Sequence, residues 1–391
     1  MKAFVTMKAT YRVVTPMFCG GADQGAELRL ASFKGALRFW WRSLQWKKVK
    51  DTSELWQKEA DLFGSSDQTV GRSKVQMKLE GPSKLKEKLK KEQVFNNGNS
   101  QGLHYLGYGV MEAFGSVKTG KKAGQLTREM IPGGEFTVAF RCGPNLSSEQ
   151  LEQLQQALIL VGTVGGMGSK ARKGLGSLTL TRFSWDGAAM PIPSLPKDRL
   201  KSILNQVGDG LPDWTAWSRR ARLLVVEVRG ESDPTGLLDK LGRELVHFRS
   251  WGKENKVLGK DSEKNFKFDH DLSKGTPVSD CHPHRVVFGL PHNYGPLKKV
   301  TAKAPIERRA SPLFFHIHQI DDNERPQGIV IFLPSLFLPQ NSKLTSFGQD
   351  VELDRSNSFW NPIHGYLDRL LDRGKTKMQT IGLDAQEVQL V

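Results

Sequence analysis

Three basic residues recur at every fourth position near the start of the chain: Lys34, Arg38 and Arg42. In a helix this spacing puts them on one flank, and residues 28–50 contain seven basic residues and no acidic one. Like charges so placed repel one another by roughly a few tenths of a kcal/mol per pair, so helix stability does not explain them. A row of phosphates would explain these charges, and we predict that these residues and Trp41 contact RNA. The alternative is a solvated helix face with its tryptophans in the core.

A glycine-rich loop between residues 162 and 176 offers a second anion-binding surface. Its six glycines let the backbone approach a ligand closely, and its three basic side chains supply charge. The segment GMGSKA fits a loose dinucleotide-binding pattern, but a predicted helix precedes it and a predicted strand follows, the reverse of that motif. We therefore favour a loop on a nucleic-acid backbone, forming one surface with the basic helix, over a nucleotide site or a merely flexible loop. Its RNA-binding candidates are Gly165, Gly166, Gly168, Lys170, Arg172 and Lys173.

The second half contributes two arginines and a group of histidines. Arg308 and Arg309 precede an apolar run and complete the candidate RNA contacts, although a partner subunit or solvent would suit them equally. The histidine group, with one cysteine, is Cys281, His282, His284, His292, His316 and His318. Its spacing fits no zinc-finger pattern and no HExxH motif exists, so structural histidines are favoured over a zinc site. A histidine general acid for RNA cleavage is the alternative. We predict no catalytic residue, no metal and no cofactor.

The first half of the chain, which must position many of these residues, contains both predicted strands and predicted helices. Alternating apolar residues predict strands over residues 4–14, 73–79, 135–141 and 178–183. Helical spacing predicts helices over residues 32–46, capped by Ser32, and 147–161, with a Ser147–Gln150 capping box. This βαββαβ order is the ferredoxin-like arrangement, which also underlies RNA-recognition folds. Residues 80–131 interrupt it as an insertion of mostly exposed loops.

Prolines between residues 191 and 219 predict a linker, which separates a first domain over residues 1–190 from a second over 220–391. In the second domain we predict a helix ending near residue 247 and another over 359–373. Strands are predicted over residues 222–229, 285–290, 313–318 and 328–333. The predicted fold class is α+β, with two ferredoxin-like domains in tandem.

The overall charge favours a polyanionic partner. The chain has 391 residues, a net charge of +16 and a pI near 9.7. Nucleic acid is the first candidate and an anionic membrane surface the second. Three separated cysteines form no CxxC pair, so neither a disulfide framework nor a cysteine zinc site is expected. Without a signal peptide or an apolar stretch of about 18 residues, we expect a cytoplasmic protein with no membrane contact.

Several of these segments resemble the RAMP superfamily. The resemblance rests on TPMFCGGAD at 15–23, SFKGALRFWWR at 32–42, LFG at 62–64 and the glycine-rich loop at 165–176. The segments FGLP at 288–291 and RRASPL at 308–313 resemble the first-named RAMP subunit family of the type III-B CRISPR Cmr complex. The KGALRFWWR segment is quite specific, whereas residues 80–131 and those beyond 340 match nothing in the family.

The resemblance implies CRISPR RNA and complementary target single-stranded RNA as ligands, and other Cmr-complex subunits as partners, in antiviral defence. It also implies two ferredoxin-like domains and a non-catalytic, end-capping role near the 3′ part of the guide. The alternative is a metal-independent RAMP endoribonuclease that processes guide RNA. The first domain has one histidine, His104, which disfavours such an enzyme. A generic DNA-binding or structural protein is the third alternative.

Overall fold

The computed structural model describes residues 4–389, except for residues 68–70, 96–99, 113–114, 116, 205–206, 275–281, 295–298, 304–305 and 376–381. The chain is α+β, as predicted, and the strands within its sheets pair antiparallel. In this described part, no helix is long and apolar enough to cross a membrane.

The first half is an antiparallel sheet with two helices on its buried face. Its strands are β1 (Val5–Val13), β2 (Val75–Leu85), β3 (Gly134–Cys142), β4 (Leu178–Trp185) and β5 (Ala188–Ala189). Its helices are α1 (Leu30–Ser43), α2 (Thr52–Phe63), α3 (Gln101–Leu106) and α4 (Ser148–Val161), with a 3₁₀ turn at Val117–Thr119. The strands lie in the order β2–β3–β1–β4–β5, and α1 and α4 pack side by side.

Strand β1 shows how alternation positions these helices. Met7, Ala9 and Tyr11 are all buried, facing α1 and α4. The Tyr11 ring lies 5.2 Å from the ring of Phe33 in α1. Its hydroxyl donates a hydrogen bond to the carbonyl of Leu158 in α4 at 3.0 Å, so the apolar face of β1 holds both helices.

Side-chain caps mark the start of two helices of the first half, α2 and α4. Helix α4 begins at the predicted capping box, in which Ser147 and Gln150 exchange hydrogen bonds. Helix α1 begins earlier than predicted, after Arg29, so the predicted Ser32 cap is wrong. The sequence patterns missed helix α2, whose N-cap Asp51 accepts the Glu54 N–H at 2.9 Å.

The segment 191–219, predicted as a linker, packs against the first half. It contains helix α5 (Pro196–Ile203), which has a proline in its first turn. Arg199 of this helix is 1% exposed, and its guanidinium donates to the carbonyls of Gly162 and Leu180 at 3.2 and 3.1 Å. These hydrogen bonds attach the segment to the end of α4 and to β4.

The described residues of the second half form two four-stranded sheets and one two-stranded sheet. In chain order its elements are β6 (Arg222–Val228), α6 (Pro234–Arg249), β7 (Lys256–Val257), β8 (Lys260–Asp261), α7 (Lys267–Lys274), β9 (His292–Asn293), β10 (Lys299–Ala302), β11 (Leu313–His318), β12 (Gln327–Phe332), β13 (Leu344–Ser346), β14 (Gln349–Val351), α8 (Asn361–Lys375) and β15 (Leu383–Glu387). The main sheet has the order β11–β12–β6–β15, the other four-stranded sheet has the order β14–β13–β10–β9, and β7 pairs with β8. Two 3₁₀ helices occupy His284–Phe288 and Asn357–Trp360.

One predicted strand of the second half is wrong. Residues 285–290 form most of a 3₁₀ helix instead, because a short apolar run does not distinguish strand from helix by periodicity. The buried carboxylate of Asp269 favours the 3₁₀ helix, because it accepts the backbone N–H groups of His284 and Arg285 at 2.7 and 2.9 Å. The other predicted strands and helices of this half are confirmed within a few residues.

The glycine-rich loop covers the edge of the second main sheet. Strand β11 lies at that edge, and its alternate N–H groups point to the first half. Phe315 donates to the carbonyl of Arg172 at 3.0 Å. Two residues further on, Ile317 donates at 3.1 Å to the hydroxyl of Ser177, which directly follows the loop. The loop therefore joins the two halves.

Candidate nucleic-acid interface

A cavity of about 1320 Å³ opens where the insertion, the glycine-rich loop and the second half meet. We call it the cationic cavity. Among the described residues, its wall has five Lys and Arg side chains, two histidines and no carboxylate. The cations are Lys170, Arg172, Lys173, Arg249 and Arg309. A wall with this charge favours a polyanionic ligand.

Hydrogen bonds hold the glycine-rich loop against the turn that follows β1. Ser169 donates its N–H to the carbonyl of Phe18 at 2.8 Å, and Gly176 donates to Pro16 at the same distance. Gly168 has a φ of +93°, and a Cβ there would lie 2.5 Å from the Phe18 carbonyl oxygen. Glycine is therefore required here for a close approach to the chain itself.

The other two candidate glycines are also enclosed by protein. A Cβ on Gly165 would lie 2.6 Å from the indole nitrogen of Trp40. One on Gly166 would lie 2.8 Å from the carbonyl oxygen of Gly176. Packing thus accounts for both glycines, and the loop offers a ligand mainly its basic side chains.

Three cations of the cavity have donors available for a ligand. The amines of Lys170 and Lys173 form no hydrogen bond or ion pair with any described residue. The Arg249 guanidinium lies over the Phe288 ring, 4.4 Å from its centre, and its Nη groups form no hydrogen bond with a described residue. Burial, with the nearby charges of Arg249 and Lys170, lowers the pKa of Lys173 to about 7.

The other two cations are committed to the protein. Arg172 donates to the Ser311 carbonyl at 3.0 Å, and burial lowers its pKa to about 10. Arg309 donates to the Ser335 hydroxyl at 2.5 Å. These guanidiniums add charge to the wall while holding it together. The exposed Arg308 stands near them, and its charge contributes, after burial and Arg128, to lowering the pKa of Lys170.

A second depression, of about 710 Å³, lies beside helices α1 and α2. We call it the Trp56 depression, after the indole of Trp56, which is 46% exposed. Its wall includes three cations: Lys34, Arg38 and Arg72. Lys34 also donates to the Phe63 carbonyl at 2.8 Å. The predicted single surface is thus divided, because the loop cations line the cationic cavity and not this depression.

A carboxylate from α2 accounts for part of the basic row in α1. Glu59, whose side chain is 7% exposed, accepts the Nε–H of Arg38 at 2.7 Å and also pairs with Arg42. The repulsion within the row is therefore relieved by a neighbouring helix, which the spacing alone did not reveal. Arg42 lines neither depression, and Trp41 is only 1% exposed, packed edge-on against Phe63 in the core.

The comparisons with known proteins agree with this architecture. A model of the RAMP superfamily matches residues 10–179. The CRISPR system Cmr subunit Cmr1-2 of Pyrococcus furiosus is 31% identical over 180 residues, which cover 42% of this chain and 89% of that protein. The chain belongs to the Cmr1 family of the RAMP superfamily. The resemblance drawn from the sequence motifs is thereby confirmed.

Further relatives of this Cmr1-family chain extend the match over most of its length. The Cmr subunit Cmr1-1 of Pyrococcus furiosus is 24% identical over 323 residues, covering 80% of this chain and 82% of that protein. The crystal structure of Cmr1 from Pyrococcus furiosus, in its apo form, superposes with a TM-score of 0.56 at 19% identity, covering 98% of both chains. A chain of the type III-B Cmr-beta complex, bound to cognate target RNA and AMPPnP, superposes with a TM-score of 0.50 at 13% identity. The match covers 93% of this chain and 98% of that one. The last two matches show a shared fold.

The histidines of this Cmr1-family chain have mainly structural contacts. His316 is buried and donates to the Gly165 carbonyl at 2.8 Å, and His282 accepts the Asp354 N–H at 3.0 Å. Cys281 lies outside the described residues. Within the described ranges, no group of three or more His, Cys, Asp or Glu side chains could hold a metal ion.

Sequence patterns missed Tyr105, Tyr108 and Arg249 of the cavity wall, whereas His104 and His292 had been considered only as histidines of a possible enzyme. The insertion reaches the wall through α3, where Leu103 donates its N–H to the carboxylate of Asp239 in α6 at 2.8 Å. A Cβ on Gly102 would lie 2.0 Å from the Asp239 carbonyl, so a glycine is required at this crossing of α3 and α6. The only local signal was the basic last turn of α6, which ends at Arg249.

Proposed function

We propose that this chain is a non-catalytic RNA-binding subunit of a type III-B CRISPR (Cmr) ribonucleoprotein, and that the cationic cavity binds the RNA backbone. The observation that carries the proposal is the cavity wall, in which five Lys and Arg side chains stand without an acidic residue among those described. Phosphate contacts from Lys and Arg supply most of the affinity of such proteins. CRISPR RNA and target RNA are the proposed ligands, since relatives are Cmr subunits and a structurally similar chain occurs in a complex bound to target RNA.

The aromatic residues of the wall support single-stranded RNA over duplex. Tyr105 and Tyr108 line the cavity, and Tyr108 is 69% exposed. Aromatic rings beside cations are the usual means of binding unpaired bases together with their phosphates. Duplex DNA hides its bases, so this arrangement disfavours the generic DNA-binding alternative.

We also propose that both halves are ferredoxin-like domains. In the first half the strands β4–β1–β3–β2 are neighbours in that order, with α1 after β1 and α4 after β3. In the second half the corresponding order is β15–β6–β12–β11, with α6 after β6 and α8 after β12. Two copies of one βαββαβ order support the tandem arrangement.

The test is RNA affinity as a function of salt. Lys170→Ala should weaken binding of single-stranded RNA and reduce the slope of log K against log salt by about 0.7, the value for one single-strand phosphate. Lys253→Ala is the matched control, because the Lys253 side chain is 94% exposed and outside the cavity. Equal affinities and slopes for wild type, Lys170→Ala and Lys170→Ala combined with Lys173→Ala would contradict the proposal.

The endoribonuclease remains a second candidate because both His104 and His292 line the cationic cavity. Burial and the charges of Arg249 and Arg285 lower the pKa of His292 to about 2, so it is neutral at physiological pH and is a poor general acid. His104 is 4% exposed, and its Nε2 has no hydrogen-bond partner among the described residues. We expect no metal-independent cleavage of guide precursor by the wild type. If the wild type cleaved guide precursor and His104→Ala or His292→Ala abolished that cleavage, the chain would be an endoribonuclease instead.

A further inference from the structure

The Trp56 depression combines an exposed aromatic ring with cations away from the cationic cavity. Trp56 is 46% exposed on α2, and Lys34, Arg38 and Arg72 line the same depression. Hydroxyl groups of Ser65, Ser66 and Ser73 and the carboxylate of Asp67 complete the polar part of its wall. The depression therefore offers a flat apolar face next to three positive charges and one carboxylate.

Two of these cations retain hydrogen-bond donors. Lys34 uses one donor of its ammonium group on the Phe63 carbonyl, which leaves two. Arg38 uses its Nε–H on Glu59, and its Nη groups form no hydrogen bond with a described residue. Lys34 and Arg38 lie one helical turn apart in α1, and burial, with the charge of Arg38, lowers the pKa of Lys34.

The surroundings of Trp56 do not resemble an apolar protein interface. The other large hydrophobic side chains found exposed in the described part of the chain are Phe4, Val94, Tyr108, Val117, Met190 and Leu195, and none lines this depression. Protein interfaces of the hydrophobic kind need a contiguous apolar patch. A single indole flanked by cations is instead typical of a surface on which an unpaired base stacks.

We propose that the Trp56 depression is a second RNA-contact site, where one unpaired base stacks on Trp56 and the adjacent phosphate is held by Lys34, Arg38 and Arg72. The proposal rests on the proposed function and deepens it. It adds a contact made through a base to those made through phosphates in the cationic cavity. The stacking would tolerate any base, because each has a π-face.

The experiment compares single-stranded RNA with abasic RNA of equal length, using the full chain. Trp56→Ala should weaken binding of the base-containing RNA about tenfold, the effect of losing one stacked base, and leave binding of the abasic RNA unchanged. Trp56→Phe should retain most of the affinity. Phe4→Ala is the matched control, because Phe4 is 47% exposed and lies outside the depression.

The outcomes separate this proposal from the proposed function. If Lys170→Ala weakens RNA binding while Trp56→Ala does not, the result supports the cationic cavity as an RNA site and overturns the Trp56 depression as a second one. If Trp56→Ala weakened the binding of abasic RNA as much as that of base-containing RNA, base stacking on Trp56 would also be overturned. Trp56→Ala with normal RNA affinity but weaker assembly with other Cmr subunits would show a protein contact instead. A wild-type chain that binds neither RNA would overturn both proposals.

Discussion

The cations of the cavity differ in what each can give to a ligand. Arg172 and Arg309 donate to Ser311 and Ser335, so replacing either one removes a structural hydrogen bond together with a charge. Lys170 makes no such bond with the described residues. A lysine without protein partners contributes to binding with little effect on folding, which makes Lys170 the more informative residue to change.

Lys173 should couple RNA binding to pH. Its pKa of about 7 in the free chain results from burial and from the charges of Arg249, Lys170 and Arg172. A phosphate beside the amine raises this pKa, so above pH 7 binding takes up a proton and affinity falls as pH rises, by at most about tenfold per unit. Dissociation constants measured from pH 6 to 9 at fixed ionic strength test this. Lys173→Arg should flatten the profile, and an unchanged profile in this variant would assign the effect elsewhere.

The same pKa fixes the sign of the effect of Lys173 on stability. In the unfolded chain a lysine titrates near about 10.4. Between pH 7 and that value, the unfolded chain binds more protons than the folded one, so Lys173 makes the free energy of unfolding rise with pH. Below pH 7 the amine is charged in both states, and the full cost of its burial is present. Binding and stability thus respond to pH in opposite directions.

At the scale of elements, the glycine-rich loop together with Ser177, the residue that follows it, covers a sheet edge. Ser177 is 1% exposed, and its hydroxyl accepts the N–H of Ile317 in the edge strand β11. Ser177→Ala leaves this buried N–H without its acceptor, so we expect a loss of about 1–3 kcal/mol in the free energy of unfolding. Urea denaturation measures the loss, and hydrogen exchange at Ile317 should become faster.

The exposed Ser53 provides the control for this loop variant. Ser53→Ala should change the free energy of unfolding by no more than about 0.5 kcal/mol, as surface substitutions usually do. If Ser177→Ala behaved like Ser53→Ala, water or a local shift would have replaced the lost acceptor, and the loop would not stabilise the edge of β11.

The elements could be predicted wherever a local pattern decides them. The alternation of β1 and the capping box of α4 are confirmed because hydrophobic period and N-cap chemistry are properties of neighbouring residues. The pairing of Glu59 with Arg38 and Arg42, and the position of Arg249 in the cavity, depend on how distant helices pack. No local pattern encodes that packing, so the basic row was predicted but its carboxylate partner was not.

On the scale of the whole molecule, the two halves depend on each other. The loop of the first half satisfies an edge of the second, Arg12 pairs with Asp322 across the junction, and the cationic cavity takes its wall from both halves. A ligand in the cavity therefore contacts both halves at once. Its binding free energy should appear in the stability of the whole chain.

RNA binding should accordingly stabilise the chain as one unit. At a free RNA concentration 100 times Kd, the free energy of unfolding should rise by about 2.7 kcal/mol, because the ligand binds only the folded state. Tryptophan fluorescence and circular dichroism, followed during urea unfolding, should shift together. A variant with Lys170, Lys173 and Arg249 all changed to alanine should lose the shift at the same RNA concentration. If RNA displaced only one of two separate transitions, the ligand would be held by one half, and a cavity built from both halves would not be its site.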